Sequence, residues 1–248
     1  MKNVKIVICY DGTRYNGWQK QGNTKNTIQE KLEETISKML EEEIELAGSG
    51  RTDAGVHALG QVANFHVSDG AYEKLFKQDI NQYLPQDIRI LSVSEAPKRF
   101  HARLNATGKH YSYWIDNGEV ADVFRRKYLT RIEEKLDVER MKQGAGYFLG
   151  EHDFMSFCAN KKMKKSTVRT ITRLDISWEN GIIRLDFYGN GFLYNMIRII
   201  VGTLIEIGLS KREPEEVTAI LAAKNRAEAG YLAPASGLFL EEVYYGTE

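Results

Sequence analysis

The chain has 248 residues, with 34 lysines and arginines against 34 aspartates and glutamates, so its formal net charge is zero. Hydrophobic residues make up 42% and charged residues 27%, which is ordinary globular composition and excludes a disordered or collagen-like chain. The neutral total argues against nucleic-acid binding, because such proteins usually carry a basic excess, but it does not say where the charges lie.

The two cysteines and the lengths of the apolar runs indicate where in the cell the protein is located. Cys9 and Cys158 have neither metal-ligand nor C-x-x-C spacing, so we expect buried free thiols in a reducing environment. No apolar run reaches the ~18 residues of a membrane span, and the first residues do not resemble a signal peptide. These features predict a cytoplasmic protein without membrane association.

The first 105 residues predict the element order β-α-β-β-α-β. Short apolar or alternating runs predict strands at residues 4–10, 44–47, 61–67 and 88–93, and helices at residues 28–40 and 71–83. Thr27 and Glu30 have capping-box spacing at the start of the first helix. This order is that of a ferredoxin-like, split βαβ half.

Residues 106–248 repeat that order loosely. Strands are predicted at residues 109–115, 168–178, 182–188 and 238–245, and helices at residues 138–148, at 192–209 and from Pro214 onward. Glu179, Asn180 and Gly181 form a hairpin signal between two of the strands. We therefore predict an α+β protein with two split-βαβ halves, residues 1–105 and 106–248, whose antiparallel or mixed sheets meet at a central cleft.

The most distinctive stretch is GSGRTDAGVHA at residues 48–58. Its glycines allow positive φ angles and a close approach of the backbone to a ligand. It matches neither a dinucleotide-binding loop nor a P-loop. Two interpretations are open at this point: a tight turn in which Asp53 bonds its own backbone, or a loop that presents Asp53 for chemistry.

Arg198 lies in a helix, residues 192–209, that is apolar on all sides, and no other charge precedes Glu206. A buried guanidinium keeps its proton and needs a carboxylate partner, and Glu206 is too far along the helix to serve. Asp53 in its glycine loop is a candidate partner. The alternative is that Arg198 reaches the surface along the helix.

Lys109, Tyr111 and Tyr113 alternate along a strand and therefore share one face. Such tyrosine pairs usually pack in a core, and the functional alternative is a platform on which a base stacks.

Basic residues gather in two tracts of the sequence: residues 98–131 hold eight basic residues against three acidic ones, and residues 161–173 hold six basic residues and no acidic one. Two such tracts are either solvated faces or a phosphate-binding surface.

Other chemistries lack their residues. The five histidines are scattered and have no metal-ligand spacing, so we expect no metal site. Ser49 lacks the nucleophile-elbow sequence, and no second acidic loop could pair with Asp53 as in an aspartic protease. A carboxylate glycosidase would need a second catalytic acid, which we cannot nominate.

Taken together, these motifs resemble the bacterial tRNA pseudouridine synthase A (TruA) family, and the similarity runs nearly end to end. The resemblance rests on Tyr10-Asp11-Gly12 with Gly17-Trp18-Gln19, on the loop at residues 50–58, on Lys109-x-Tyr111-x-Tyr113, on residues 191–202 and on Ser236-Gly237-Leu238. The chain departs from the pattern at His110 and Ser112, where more basic residues are expected. That departure concerns local phosphate contacts and not the chemistry.

The resemblance implies the pseudouridine synthase fold and the isomerisation of uridine to pseudouridine at positions 38, 39 and 40 of the tRNA anticodon stem-loop. It also implies a homodimer that binds one tRNA across both subunits and needs no cofactor or metal. Carried onto this chain, Asp53 is the catalytic carboxylate and Arg198 its ion-pair partner. Tyr111 contacts the base and assists removal of the C5 proton, and Arg51 enters the space that the flipped base leaves.

Further tRNA contacts are expected from the basic residues of these motifs and tracts. These are Lys109, Lys162, Lys164, Lys165 and Arg169. The rival function is a non-catalytic RNA-binding module of RRM-like topology, which shares the split-βαβ order. No RNP1-like sequence supports it, and it leaves Asp53 and Arg198 unexplained.

Overall fold

The computed structural model describes residues 1–77, 79–160 and 163–246. Contacts divide the chain into a first unit, Met1–Thr107 with Phe239–Glu248, and a second unit, Gly108–Leu238. None of the helices in the described part of the chain has the length and hydropathy that a membrane span requires.

The first unit has the predicted β-α-β-β-α-β order. Its elements are β1 (Lys2–Tyr10), α1 (Ile28–Leu40), β2 (Ala47–Gly48), β3 (His57–Val67), α2 (Asp69–Lys77) and β4 (Ile88–Ala96). The strand order is β4-β1-β3 with β2 on β3, and all of these pairs are antiparallel. This is the strand arrangement of a ferredoxin-like sheet, as predicted.

The second unit is also built on an antiparallel sheet. Its elements are β5 (Ala106–Asp116), β6 (Thr130–Arg131), α3 (Val138–Gly146), β7 (Gly150–Asp153), β8 (Val168–Glu179), β9 (Ile182–Gly189), α4 (Met196–Gly208) and α5 (Glu216–Ala223). The order is β5-β9-β8-β7, with the short β6 parallel to β5. Asn180 and Gly181 both have positive φ, +49° and +77°, which is what a tight hairpin turn between β8 and β9 requires.

The last strand, β10 (Leu238–Tyr245), has the bounds that the sequence predicted. Its residues Phe239 and Leu240 pair in parallel with His57 and Ala58 of β3, and by contact the segment from Phe239 belongs to the first unit. The sequence division after residue 105 assigned this strand to the second half. Its pairing with a strand that lies far away in the sequence explains the difference.

The core of the first unit is formed by one face of strand β1, where every second residue is buried, and by one face of helix α1, where buried residues lie four apart. Alternate residues of β1, namely Val4, Ile6 and Ile8, are fully buried, and so are Ile28 and Leu32 on α1. Each such side chain contributes roughly 1.5–3 kcal/mol when it leaves water. Helix α1 begins at its predicted cap, where the Thr27 hydroxyl accepts a hydrogen bond from the Glu30 N–H.

Several predicted bounds were wrong for local reasons. The predicted strand at residues 44–47 is reduced to Ala47–Gly48, because the Ile44 and Leu46 N–H groups donate to side chains of α1. The predicted helix at residues 71–83 ends at Lys77, and a separate 3-10 turn, Ile80–Gln82, follows. The predicted helix at residues 192–209 begins only at Met196, since Asn195 has left-handed backbone angles.

Candidate active site

Asp53 lies in a loop between β2 and β3 whose backbone is fixed on both sides. Thr52 is buried, its hydroxyl is 2.8 Å from the Tyr10 hydroxyl, and its carbonyl accepts a hydrogen bond from the Trp18 N–H at 3.0 Å. The Val56 N–H donates to the Asp53 carbonyl at 3.1 Å. The half-buried Asp53 side chain therefore projects from a rigid backbone.

The opening loop at residues 11–19 packs backbone to backbone against the Asp53 loop. A Cβ on Gly12 would lie 1.9 Å from the Val56 carbonyl oxygen. A Cβ on Gly17, where φ is +88°, would lie 2.6 Å from the Thr52 carbonyl oxygen. Only glycine allows this approach, so the first motif serves to clamp the loop that carries Asp53.

Arg51 and His57 flank Asp53 in two different environments. Arg51 is exposed, and its Nε donates to Gln19 Oε1 at 2.9 Å. His57 is buried, its Nδ1 accepts a hydrogen bond from the Gly12 N–H at 3.1 Å, and its ring stacks on Phe239 at 4.7 Å. The imidazole thus helps to join the two loops, while the guanidinium faces solvent.

The two tyrosines of the second motif differ in their surroundings. On β5, Tyr111 is 8% exposed and meets the Phe192 ring edge-on at 5.4 Å. Tyr113 is fully buried, and its hydroxyl donates to the Pro234 carbonyl at 2.8 Å and lies 2.6 Å from the Thr130 hydroxyl. Burial raises the pKa of Tyr113 well above its usual value, so this phenol stays neutral and acts as a structural anchor.

Arg198 is held by the backbone and by a cap residue of the second unit. Arg198 and Glu206 are the only residues of α4 that are not fully buried. The Arg198 Nε donates to the Ala233 carbonyl at 2.7 Å, and its Nη1 donates to Asn195 Oδ1 at 3.3 Å. Of the two alternatives, a buried guanidinium and one that reaches the surface along the helix, neither holds fully, because the Arg198 side chain is half-buried. The ion pair with Asp53 would join the two units and stays a prediction.

A glycine of the third motif explains how Ala233 reaches Arg198. A Cβ on Gly202 would lie 1.9 Å from the Tyr231 carbonyl oxygen, so the segment that contains Tyr231 packs directly on α4. One turn further along, the Ala233 N–H donates to the Arg198 carbonyl at 3.2 Å. The glycine therefore allows the close packing that fixes the guanidinium.

The predicted phosphate-binding residues do not share one environment. Lys164 and Lys165 are exposed in the loop before β8, and Lys109 is half-buried on β5 opposite Gly189. The Nη1 of Arg169 donates to the carbonyls of Ser166 and Val168 at 3.0 and 2.6 Å. Lys162 lies outside the described residues.

Sequence reasoning missed two kinds of supporting residue. Asn195, which caps the Arg198 guanidinium, gives no local signal, because its role depends on left-handed backbone angles. Gln29 and Glu33 are polar yet buried on α1, four residues apart beside its apolar face. That i, i+4 polar pair on a core helix was the available signal. Within the described residues, no group of His, Cys, Asp and Glu side chains is arranged to hold a metal ion.

Comparison with known proteins identifies the family. The family model described as tRNA pseudouridine synthase matches residues 6–105 and 145–246. A tRNA pseudouridine synthase A of Bacillus sp. (strain KSM-64) is 49% identical over 245 residues, which cover 99% of this chain and all of that relative. One from Acetivibrio thermocellus is 46% identical with the same coverage.

Among solved structures, the chain is similar to one in a Cbf5-Nop10-Gar1 complex, at 14% identity and a TM-score of 0.37, covering 82% of this chain and 44% of that chain. A score this low supports no inference, so the assignment rests on the sequence matches. Those matches set aside the non-catalytic RRM-like module. The chain belongs to the bacterial tRNA pseudouridine synthase A (TruA) family and is an isomerase with the pseudouridine synthase fold.

Proposed function

We propose that this synthase acts on uridines 38, 39 and 40 of the tRNA anticodon stem-loop and uses Asp53 as its catalytic carboxylate. The observation that carries the proposal is the clamped loop. Asp53 follows a buried, hydrogen-bonded Thr52, and glycines of the opening loop pack against the backbone on either side. A carboxylate held in this way is pre-organised for chemistry, whereas an ordinary surface turn needs no such support.

The reaction breaks the C1′–N1 glycosidic bond, forms a C1′–C5 bond and releases the C5 proton, so that N1 gains a proton and the atoms balance. A carboxylate can attack and then leave, which suits both halves of the reaction. Three routes stay open: attack on the sugar carbon, attack on the base, and a glycal intermediate. In each of them Asp53 must be ionised, which pairing with Arg198 would favour.

Tyr111 and Arg51 have proposed roles at the target nucleotide. Tyr111 contacts the base and assists removal of the C5 proton, and its edge-on contact with Phe192 limits the positions that its ring can take. Flipping the uridine out of the stem costs a few kcal/mol. Arg51, an exposed guanidinium two residues before Asp53, offsets part of that cost by entering the vacated space.

The tRNA is proposed to lie across both subunits of a homodimer in the cytoplasm, with no cofactor. Lys109, Lys164, Lys165 and Arg169 contact its phosphates, together with Lys162. A neutral total charge is compatible with this, because residues 161–173 hold six basic residues and no acid. A local basic tract supplies the phosphate contacts while the neutral total limits non-specific binding.

Tritium release tests the role of Asp53. With tRNA carrying tritium at C5 of uridine, we expect release by the wild-type protein and none by Asp53→Asn or Asp53→Ala, while both variants still bind tRNA. Glu95→Gln is a matched control, because Glu95 is an exposed carboxylate of the same unit that pairs with Lys2. Release by the Asp53 variants at the control rate would remove Asp53 from the reaction.

A further inference from the structure

A chain of hydrogen bonds runs from buried side chains of helix α1 to the exposed Arg51. The Arg51 Nε donates to Gln19 Oε1 at 2.9 Å, and Gln19 Nε2 donates to Gln29 Oε1 at 2.9 Å. Gln29 Nε2 then donates to Glu33 Oε1 at 2.8 Å. Gln29 and Glu33 are 6% and 5% exposed, so the bond between them is shielded from water, while the bond between Gln19 and Arg51 is exposed.

The two ends of the chain fix its direction. A carboxylate only accepts hydrogen bonds and a guanidinium only donates them, while a primary amide does both. Because Glu33 must accept, Gln29 turns its NH2 group toward Glu33 and its oxygen toward Gln19. Gln19 then turns its own oxygen toward Arg51. The order of donors and acceptors that Glu33 imposes therefore extends to the guanidinium.

Each inner member of the chain is fixed by further bonds. Glu33 Oε1 also accepts from the Leu46 N–H at 2.9 Å, and its Oε2 lies 3.3 Å from Lys20 Nζ. Gln29 Oε1 accepts from the Lys20 N–H at 3.0 Å, and Gln29 Nε2 also donates to the Leu46 carbonyl at 3.1 Å. A buried carboxylate with these partners is costly to disturb, and rotating the Gln29 amide would break its bonds to the Lys20 N–H and the Leu46 carbonyl.

We propose that Glu33 is a positioning residue for Arg51. Acting through Gln29 and Gln19, it holds the guanidinium in one orientation before the uridine is flipped, so that Arg51 loses less freedom when it fills the gap. This inference rests on the proposed role of Arg51 at the flipped base. Pre-organisation of this kind speeds a step after binding, so it affects kcat more than KM.

The central variant is Glu33→Gln, which keeps the shape of the side chain but replaces a charged group that only accepts by a neutral amide that can also donate, and so weakens the acceptor that holds Gln29 Nε2. We expect kcat to fall about 5- to 30-fold with KM for tRNA unchanged. Glu30→Gln is the matched control, because Glu30 is equally buried and lies 3.6 Å from the same Lys20 Nζ but is outside the amide chain. It should retain kcat within about twofold.

A measurement that does not involve tRNA separates orientation from general damage. The Arg51 Nε–H resonance of 15N-arginine-labelled protein should exchange with water faster in Glu33→Gln than in wild type, and at the wild-type rate in Glu30→Gln.

A cycle with Arg51→Ala completes the test. If Glu33 acts through Arg51, Glu33→Gln changes kcat by less than about twofold in the Arg51→Ala background. An additive loss there, or an equal loss in Glu30→Gln, would overturn the inference while leaving the proposed function intact. Wild-type turnover by Arg51→Ala alone would instead remove the proposed role of Arg51, and the inference with it.

Discussion

Replacing Gly17 by alanine should damage both stability and turnover, because this glycine packs directly against the backbone of Thr52 and Asp53. The new Cβ would lie 2.6 Å from the Thr52 carbonyl oxygen and 3.1 Å from the Asp53 carbonyl carbon, both of them backbone atoms. Ordinary contact begins at 3.4 Å, so the two loops must separate by about 0.8 Å. The φ of +88° adds strain for any L side chain.

The magnitude follows from these two effects. A left-handed backbone at a non-glycine residue costs roughly 1–2 kcal/mol, and the forced separation raises the total to about 2–3 kcal/mol. For a chain of this size, that free energy lowers the melting temperature by about 4–12 °C. If Asp53 is the catalytic carboxylate, as proposed, a displacement approaching 1 Å costs on the order of 100-fold in rate.

Thermal unfolding and C5 tritium release measure the two effects separately. Gly22→Ala is the matched control in the same part of the chain, because nothing lies within 4 Å of its added Cβ, and it should leave both readouts close to wild type. If Gly17→Ala were as stable and as active as Gly22→Ala, the opening loop would not be what positions Asp53.

Two further predictions concern acid stability and RNA affinity. Burial opposes ionisation of Asp87, but hydrogen bonds from Tyr15 and Arg14 outweigh it and lower its pKa below 3.8. The stability that ionised Asp87 contributes is present above the unfolded pKa and is lost as the pH falls through the folded pKa. Asp87→Asn should therefore lower the free energy of unfolding at pH 7, and the difference from wild type should shrink in unfolding titrations below pH 3.8. A difference that stays constant with pH would contradict this. Replacing Lys164 and Lys165 by alanine should reduce the salt dependence of tRNA binding by about 0.7–0.9 per phosphate contact, measured as log K against log salt, and an unchanged slope would remove them from the interface.

Local features of the chain were predictable because they depend on neighbours within a few residues. The Thr27 cap, the four-residue apolar repeat of α1 and the Asn180-Gly181 turn each occur where their sequence patterns indicated. The apolar run at residues 44–47 was predicted as a strand, and that prediction was wrong at Ile44 and Leu46, which are buried but whose N–H groups bond to α1 side chains. The spacing of apolar residues indicates which side chains are buried, but it does not indicate which acceptor a backbone N–H group bonds to.

Long-range roles could not be derived from the residue types involved. The sequence identified Gly12 and Gly17 only as members of a family motif, whereas the structure shows that each is required because backbone from residues 52–56 packs directly against it. Arg198 was expected to need a carboxylate, and its described partners in the second unit are the Ala233 carbonyl and the Asn195 amide. Both cases depend on segments that are distant in sequence and meet only after folding.

The sequence by itself determined the α+β class, the β-α-β-β-α-β order of the first 105 residues and the family, because helix and strand periods and a glycine-rich motif are local patterns. Only the tertiary structure decided that β10 packs with the first unit, that Tyr113 is a fully buried anchor while Tyr111 keeps 8% of its surface exposed, and that a buried Glu33 connects through two amides to Arg51. The reason is physical: a hydrogen bond or a backbone contact needs two groups within a few ångströms, and folding alone brings together groups that are far apart along the chain.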